Sequence, residues 1–281
     1  MKYNIEKRPG PYQTFSVKLE NNIVTFFDYG GYEDRNISTI RLIENAIKNN
    51  ENLFLNKTFD IEINTSDQIN ERALSYSHPT NKYFTIPCFT FDGWRQIGID
   101  GFENMVAKIK EKANEPIKYN KLFWSGSIGP HIPPRVMYDL LSKNHPDLLL
   151  CNSIEFVRQN PEKLTANNFV SLPEHCDFKY LLDIEGVGWS ARLKFLCFTK
   201  RVLFINDRPY KEFWMDGLID GENCIIVNRD LSNLIEKIEM VEANPELYSK
   251  LANNLYDFAN SKLTIENVNK HIIDVLLKKC K

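Results

Sequence analysis

Apolar and polar residues follow two different periods along this chain. In residues 59–64 apolar and polar positions alternate one by one, which is typical of a strand with one face in water. Residues 37–49 instead place Ile40, Ile43 and Ile47 three or four positions apart, on one face of a helix. Segments of both kinds alternate along the whole chain, and this order predicts an α/β protein.

The predicted elements form two groups, separated by a polar segment at residues 114–120. The first group has strands at 22–28, 59–64 and about 83–91, and helices at 37–49 and 101–113. The second has strands at 122–124, 148–151, 180–184, 202–205 and 224–227, and helices at 135–142, 231–241, 245–260 and 265–277. We therefore predict one lobe over residues 1–118, a second over 119–260, and a C-terminal helix within 261–281 that packs back on the first lobe.

Composition narrows the class of protein. The chain has 281 residues, of which 43% are hydrophobic and 26% charged, as in ordinary globular proteins. Its net charge is only −2, so no overall positive charge favours nucleic acid or an anionic membrane. No apolar run reaches the roughly 18 residues that a membrane-spanning helix needs. The composition leaves oligomeric state open.

The six cysteines are scattered, with no CxxC pair and no His/Cys cluster at metal-ligand spacing. Several lie in apolar segments, which favours buried free thiols. The first residues lack the apolar core of a signal peptide. Together these features predict a cytoplasmic protein.

A glycine-bearing turn follows the predicted strand at residues 180–184. Gly186-Val187-Gly188 is followed by Trp189, Ser190 and Arg192 at the start of an amphipathic segment. A strand, a tight turn and a helix in this order point backbone N–H groups and a helix dipole at a phosphate, and an arginine adds a charged fork. The alternative is an ordinary strand-to-helix turn with a solvated Arg192.

Three segments resemble the motifs of one enzyme family. They are residues 175–196 around the glycine turn, Leu122-Phe123-Trp124-Ser125-Gly126-Ser127, and Asn228-Arg229-Asp230-Leu231-Ser232-Asn233-Leu234. These segments are similar to those of the CAP10-like glycosyltransferases, glycosyltransferase family 90, which includes protein O-glucosyltransferases and fungal capsule xylosyltransferases. The resemblance covers roughly residues 58–275 and is stronger in the second half.

The resemblance implies a GT-B fold, with two Rossmann-like lobes facing each other across a cleft. Residues 1–118 would form the acceptor side, and residues 119–260 would bind the nucleotide sugar. It also implies an inverting transfer of xylose or glucose from a UDP-sugar to a hydroxyl of a glycan or other acceptor. The family's secretory members carry leaders and disulfides that this sequence lacks, which puts protein acceptors in doubt.

Inverting transfer needs a carboxylate base beside the acceptor oxygen. Asp67 follows the strand at residues 59–64, and its context is similar to the family segment in which the catalytic aspartate follows a strand. The arginine usual in that segment is Ser66 here. The alternative is a loop aspartate that caps a helix toward Arg72. Asp92, in the turn before Trp94, is the second candidate base.

The donor side is assigned from the same segments. Ser125, Gly126 and Ser127 end a predicted strand, but the arginine that follows Gly-Ser in the family is Ile128 here. Arg135 on the next helix could restore that charge, the alternative being a solvated helix residue. Glu212 matches a family position near the nucleotide ribose, the alternative being an exposed loop carboxylate. The candidate donor-binding residues are Ser125, Gly126, Ser127, Arg135, Gly186, Val187, Gly188, Trp189, Ser190, Arg192 and Glu212.

The acceptor side is less defined. Trp94 offers a flat ring that can stack on a sugar. His78 could contact a ligand, although a surface turn explains it equally well. His175 lies inside the family-like segment, where we expect it to order the adjoining loop.

No pair of carboxylates stands at a strand end where it could hold a divalent cation. We therefore expect no metal and no cofactor, with the UDP-sugar as co-substrate. Two other functions stay open: a nucleotide-sugar-modifying enzyme, although the N-terminal Gly-x-Gly-x-x-Gly is missing, and a catalytically inactive nucleotide- or carbohydrate-binding module.

Overall fold

The structure is a computed structural model that describes residues 1–70, 72–160 and 163–281. Its first sheet contains four strands, namely β1 Lys2–Lys7, β2 Thr14–Glu20, β3 Ile23–Asp28 and β4 Phe59–Asn64, in the order β1-β3-β2-β4. Helix α1, Glu33–Lys48, packs on this sheet and buries Ile40, Ile43 and Ile47, as the helical spacing predicts.

This first sheet departs from the Rossmann-like topology that we expected. β1 and β3 are parallel, whereas β2 runs antiparallel to both β3 and β4. The cause is the turn between β2 and β3, where Asn21 and Asn22 both have positive φ, at 52° and 60°. A two-residue turn with two left-handed residues makes a tight hairpin, which joins strands only in antiparallel fashion.

The prediction of a strand near residues 83–91 is wrong. The structure forms short 3-10 helices there, at Lys82–Phe84, Phe89–Phe91 and Arg95–Ile97. Pro87 lies in the middle of the segment and has no N–H to donate to a ladder, so a continuous strand is disfavoured. Helix α2 follows at Phe102–Lys112, within the predicted range.

The second sheet is entirely parallel. It contains β5 Tyr119–Gly126 and β6 Leu149–Ser153, then β9 Phe178–Asp183, β10 Val202–Asn206 and β11 Ile225–Val227, in the order β11-β10-β9-β5-β6. Strands β7 Glu155–Asn160 and β8 Lys163–Asn167 form a separate antiparallel pair between β6 and β9. The helices of this half are α3 Pro133–Asn144, α4 Leu193–Leu196, α5 Leu234–Glu242, α6 Pro245–Lys262 and α7 Ile265–Leu277.

Both faces of the parallel sheet are buried, which explains why its strands have almost continuous apolar sequences. Leu122 and Tyr180 pack toward α3, α5 and α6 on one face. Phe123 and Leu181, the next residue of each strand, pack into a core shared with the first sheet, α1 and α2. One hydrophobic core therefore extends across the predicted boundary between the two lobes.

The chain end lies against the first lobe. Thr58 and Lys281 exchange two backbone hydrogen bonds, and His271 of α7 is 3.1 Å from the carbonyl oxygen of Thr85 through its Nε2. The α/β class is confirmed, with a mixed sheet in the first lobe and a parallel sheet in the second. The domain boundaries stay a prediction. Among the described residues, no helix is long and apolar enough to cross a membrane.

Candidate active site

The glycine turn follows β9 directly, as the sequence predicts. The N–H of Gly186 donates to the carbonyl oxygen of Trp189 at 3.0 Å and closes the turn. The helix expected after the turn is short, since α4 has four residues and Arg192 is its N-cap. A helix of one turn has a small dipole, so side chains and not the dipole must supply most of the positive charge here.

Asp183, the last residue of β9, organises the charges behind the turn. Its carboxylate is fully buried and accepts hydrogen bonds from Ser190 Oγ at 2.7 Å, Arg192 Nε at 3.1 Å and Arg208 Nη1 at 2.9 Å. Burial opposes ionisation of Asp183, but the charges of Arg208 and Arg192 outweigh it and lower the pKa of the carboxyl. The network fixes Ser190 and Arg192 before any ligand binds.

Arg192 is not a solvated arginine. Its side chain is about four-fifths buried, and its Nη1 donates to the carbonyl oxygen of Ser125 at the end of β5. The guanidinium also lies over the ring of Trp124, 5.4 Å from the centroid. Arg192 therefore links the carboxyl ends of β5 and β9, where ligands bind in parallel α/β sheets.

Arg135 lies at the same sheet edge. Its Nε donates to the carbonyl oxygen of Glu185 at 3.1 Å, and its Nη1 donates to that of Ser127 at 2.9 Å. Burial, and then the neighbouring charge of Arg192, lower the pKa of Arg135 to about 10. Ile128, which replaces the family's arginine, packs against the apolar core instead. The site thus holds two neighbouring arginines although the expected one is missing.

A pocket of about 220 Å³ opens beside these residues. It brings together eight of the candidate binding residues: Trp94, Ser125, Gly126, Ser127, Arg135, Trp189, Ser190 and Arg192. Trp94 comes from the first lobe and the other seven from the second. The pocket therefore lies between the lobes.

Asp67 lies in the loop after β4, and its carboxylate is held by an arginine that sequence reasoning missed. Arg35 Nη1 donates to Asp67 Oδ1 at 2.8 Å and to the carbonyl oxygen of Thr65 at 3.1 Å. The Asp67 side chain is 42% exposed. No helix follows Asp67 before Arg72 in the described residues, so the alternative of a helix cap does not hold. Arg35 lies on α1, far away in sequence.

The loop of Asp67 contacts the glycine turn of the other lobe. A methyl group at Gly188 would overlap the carbonyl oxygen of Asp67, and Ser77 Oγ donates to the carbonyl oxygen of Gly188 at 3.4 Å. Val187, at the tip of the turn, is 48% exposed. Neither Asp67 nor the predicted Gly186, Val187 and Gly188 line the pocket, but this turn leads directly into the lining residues Trp189 and Ser190.

Asp92, His78 and Glu212, which were also predicted as site residues, do not line the pocket. Asp92 Oδ2 is 3.2 Å from Arg95 and 3.6 Å from Arg41, so this carboxylate is engaged in ion pairs. His78 Nδ1 accepts from the N–H groups of Thr80 and Asn81, and its ring stacks on Phe84, as in a structural turn.

Glu212 is buried, so the alternative of an exposed loop carboxylate does not hold. Its Oε1 is 3.4 Å from Lys194 Nζ, which also donates to Thr90 Oγ1 at 3.0 Å. Glu212 therefore belongs to a buried ion pair with Lys194.

His175 lies against the pocket, a position that its sequence context did not reveal. Its Nδ1 is 2.9 Å from the carbonyl oxygen of Ser171, so it orders the adjoining loop as expected. Among the described residues, no group of three or more His, Cys, Asp and Glu side chains could hold a metal ion. Metal independence stays a prediction.

The chain belongs to glycosyl transferase family 90, whose family model matches residues 65–281. Protein O-glucosyltransferase 1 of Homo sapiens is 27% identical over 143 residues, which are 48% of this chain and 36% of the human protein. The O-glucosyltransferase rumi of Drosophila melanogaster is 27% identical over 135 residues, 46% of this chain and 33% of rumi. The chain thus spans about a third of the length of these relatives.

Among solved structures, the chain is similar to the C-terminal domain of the glycosyl transferase group 1 family protein LpcC from Francisella tularensis. The two share 15% identity with a TM-score of 0.37, over 58% of this chain and 95% of that domain. A likeness at this level carries no argument about the site.

Proposed function

We propose that this chain is an inverting glycosyltransferase that moves glucose or xylose from a UDP-sugar to a hydroxyl of a glycan or other acceptor. One observation carries the proposal: two arginines line a pocket at the carboxyl ends of β5 and β9, and the glycine turn that leads into this pocket contacts the Asp67 loop of the other lobe. Membership of the family supports the reaction class.

Arg135 and Arg192 would stabilise the diphosphate as it leaves. Their guanidinium groups are held by the carbonyl oxygens of Ser127 and Ser125, and by buried Asp183 in the case of Arg192. Charged donors fixed before the reaction stabilise a developing negative charge without reorganisation during the step. This positive charge would do the work that a divalent cation does in metal-dependent glycosyltransferases, which supports the prediction of metal independence.

Asp67 would act as the base. Its carboxylate takes the proton of the acceptor hydroxyl while that oxygen attacks the anomeric carbon, and the bond from that carbon to the diphosphate oxygen breaks. A single displacement of this kind inverts the anomeric centre. Because Arg35 bonds one oxygen, Asp67 Oδ1, the other carboxylate oxygen is available to the acceptor.

The proposal is tested by binding and turnover with one panel of nucleotides. We expect UDP to raise the melting temperature more than GDP, CMP or NAD, because a ligand that binds only the native state stabilises it by RT ln(1 + [L]/Kd). We expect release of UDP from UDP-glucose or UDP-xylose, undiminished in excess EDTA. A preference for GDP or NAD would contradict the donor assignment.

Two further outcomes are informative. Activity that disappears with EDTA and returns with Mn²⁺ would overturn the role given to the two arginines. UDP binding without turnover on any acceptor would favour the inactive binding module, for which the substitutions Ser66 and Ile128 at family arginine positions are the supporting observation. The cytoplasmic location stays a prediction.

A further inference from the structure

Two neighbouring residues at the start of α1 hold the loop that carries Asp67. Asn36 is fully buried, and its Oδ1 accepts a hydrogen bond from Thr65 Oγ1 at 2.6 Å. The Nδ2 of Asn36 donates to Asp28 Oδ1 at 2.7 Å, which fixes the orientation of the amide. Arg35, the residue before Asn36, donates through Nη1 to the carbonyl oxygen of Thr65 and to Asp67 Oδ1. The first turn of α1 therefore holds both Thr65 and Asp67.

Hydrogen bonds within the loop restrain the backbone on both sides of Asp67. Asn64, the last residue of β4, accepts from the N–H and from the hydroxyl of Ser66 at 3.1 and 2.8 Å. Its Nδ2 donates to the carbonyl oxygen of Gln68 at 2.5 Å. Ser66 stands where the family motif has an arginine, and it bonds the loop instead. The cation beside the Asp67 carboxylate therefore comes from α1.

Arg35 is itself held by aromatic rings. Its guanidinium lies 4.1 Å from the ring centroid of Tyr32, 5.4 Å from that of Phe89 and 6.0 Å from that of Trp189. The Arg35 side chain is 16% exposed, whereas that of Asp67 is 42% exposed. A guanidinium that is already stacked loses little further freedom when it binds a carboxylate. The more restrained Arg35 therefore fixes the position of the more exposed Asp67.

The same arginine connects the Asp67 loop to the pocket. Trp189 lines the pocket, and its ring packs edge to face on Tyr76 and Phe89, with centroids 5.1 and 6.1 Å apart. Arg35 contacts this aromatic cluster and the Asp67 carboxylate together. It belongs to α1, which precedes residues 65–281 of the family match. The position of Asp67 relative to the pocket therefore depends on a part of the chain outside the matched residues.

We propose that Arg35 is a positioning residue for the transfer reaction, which holds the Asp67 carboxylate in the orientation that reaches the acceptor hydroxyl. The inference rests on the proposed function, because that function makes Asp67 the base. Arg35 acts through Asp67 and takes no proton itself. Misplacement of a reacting group by about 1 Å can lower a rate by about 10²-fold. Loss of Arg35 should therefore lower kcat and leave the Kd for UDP nearly unchanged.

A double-mutant cycle with Asp67 tests this role. Arg35→Met keeps an unbranched side chain and removes the charge and the hydrogen bonds. In the unmodified protein it should lower kcat by about 30- to 100-fold, with less than about a threefold change in the Kd for UDP. In the Asp67→Asn background it should lower kcat by no more than about twofold, because the carboxylate that Arg35 positions is already gone. Steady-state kinetics and calorimetry measure the two quantities.

Two further variants separate positioning from folding. Arg35→Lys keeps the charge without the planar fork and should retain more turnover than Arg35→Met. It also completes the cycle with Asp67→Asn if Arg35→Met does not fold. Arg41→Met is the matched control, because Arg41 also lies on α1 and is 3.6 Å from a carboxylate oxygen of Asp92. Its turnover should equal that of the unmodified protein, and denaturant titration shows that each variant is folded under the assay conditions.

The outcomes separate the two proposals. If the protein transfers no sugar, or if Asp67→Asn keeps normal turnover, the proposed function fails. If Asp67→Asn loses turnover while folded Arg35→Met keeps it, the function stands and the role of Arg35 is wrong. If the loss in Arg35→Met multiplies the loss in Asp67→Asn, Arg35 acts independently of the carboxylate, and the positioning role is again wrong.

Discussion

The glycine turn of the second lobe and the Asp67 loop of the first lobe carry charges in opposite ways. Behind the turn, Asp183 is fully buried and accepts hydrogen bonds from Arg192 and Arg208, so these three charges hold one another in place. In the loop, Asp67 is 42% exposed and has one cationic partner, Arg35. The first arrangement is rigid and suits a leaving group that must be held in place. The second leaves a carboxylate oxygen accessible, as proton transfer requires.

The two regions also differ in what a substitution removes. Removal of one hydrogen-bond donor of Asp183 should lower stability as well as ligand affinity. The reason is that the buried carboxylate then has fewer partners to offset the cost of its desolvation. Neutralising the more exposed Asp67 leaves the Arg35 guanidinium with the carbonyl oxygen of Thr65 as an acceptor. Stability and function should therefore be linked around Asp183 and separate at Asp67.

The largest expected effect is that of Asp67→Asn. Asparagine keeps the size of the side chain but cannot take a proton, so turnover should fall by about 10²-fold or more while the Kd for UDP stays nearly unchanged. Asp92→Asn is the matched control, since Asp92 is occupied by Arg95 and Arg41. Steady-state kinetics and calorimetry measure the two quantities. An inactive, folded Asp92→Asn beside a normally active Asp67→Asn would transfer the base to the Asp92 turn.

Next in size is Arg192→Ala. Loss of a charge-assisted hydrogen bond should weaken UDP binding by about 1.5 to 3 kcal/mol. Since the structure pairs Arg192 with buried Asp183, we also expect the free energy of unfolding to fall by about 2 kcal/mol.

Denaturant titration checks the effect of Arg192→Ala on stability. Lys143→Ala removes an exposed ion pair with Asp139 and should cost less than about 1 kcal/mol. Equal stability of Arg192→Ala and the unmodified protein would show that the network around Asp183 does not need Arg192.

A smaller effect tests the contact between the two regions. In Gly188→Ala the new methyl group overlaps the carbonyl oxygen of Asp67, so the loop or the turn must shift. Because misplacement of a reacting group is costly, turnover should fall by about tenfold with little loss of UDP affinity. At Gly101 a methyl group meets nothing closer than 3.8 Å, so Gly101→Ala is the control. Unchanged turnover in Gly188→Ala would mean that this contact does not set the position of Asp67.

The smallest expected effect is the change in stability with pH. It compares two buried histidines, His175 beside the pocket and His271 of α7. Burial lowers the pKa of His175 and of His271 to about 4, from a usual value of 6.5. The unfolded chain then binds more protons than the native protein between pH 6.5 and pH 4, so stability falls as the pH is lowered through this window.

From pH 6.5 to pH 5.5 each histidine should cost about 1 kcal/mol of unfolding free energy. His175→Phe and His271→Phe should each remove about half of the loss that the two residues cause together. Denaturant titration at both pH values measures the difference. A variant whose stability falls as steeply as that of the unmodified protein would show that its histidine is not buried in the neutral form.

Much of the second lobe could be predicted from the sequence, because its strands and its glycine turn are each specified by residues that are neighbours in the chain. Continuous apolar runs predicted the parallel strands, and β9 followed by the glycine turn was located correctly. Prediction from hydrophobic patterns was wrong where a single type of residue determined the backbone geometry. Asn21 and Asn22 make a hairpin that fixes an antiparallel pair, and Pro87 interrupts a segment that otherwise resembles a strand.

The sequence by itself determined the α/β class, the order of the main elements, the family-like motifs and seven of the second-lobe residues that line the pocket. Only the tertiary structure decided the partners of those residues. Arg35, which binds Asp67, precedes residues 65–281 of the family match, and the lowered pKa of His175 depends on its burial. Hydrogen bonds and desolvation act between atoms that the fold brings together from distant positions, so no local pattern in the sequence records them.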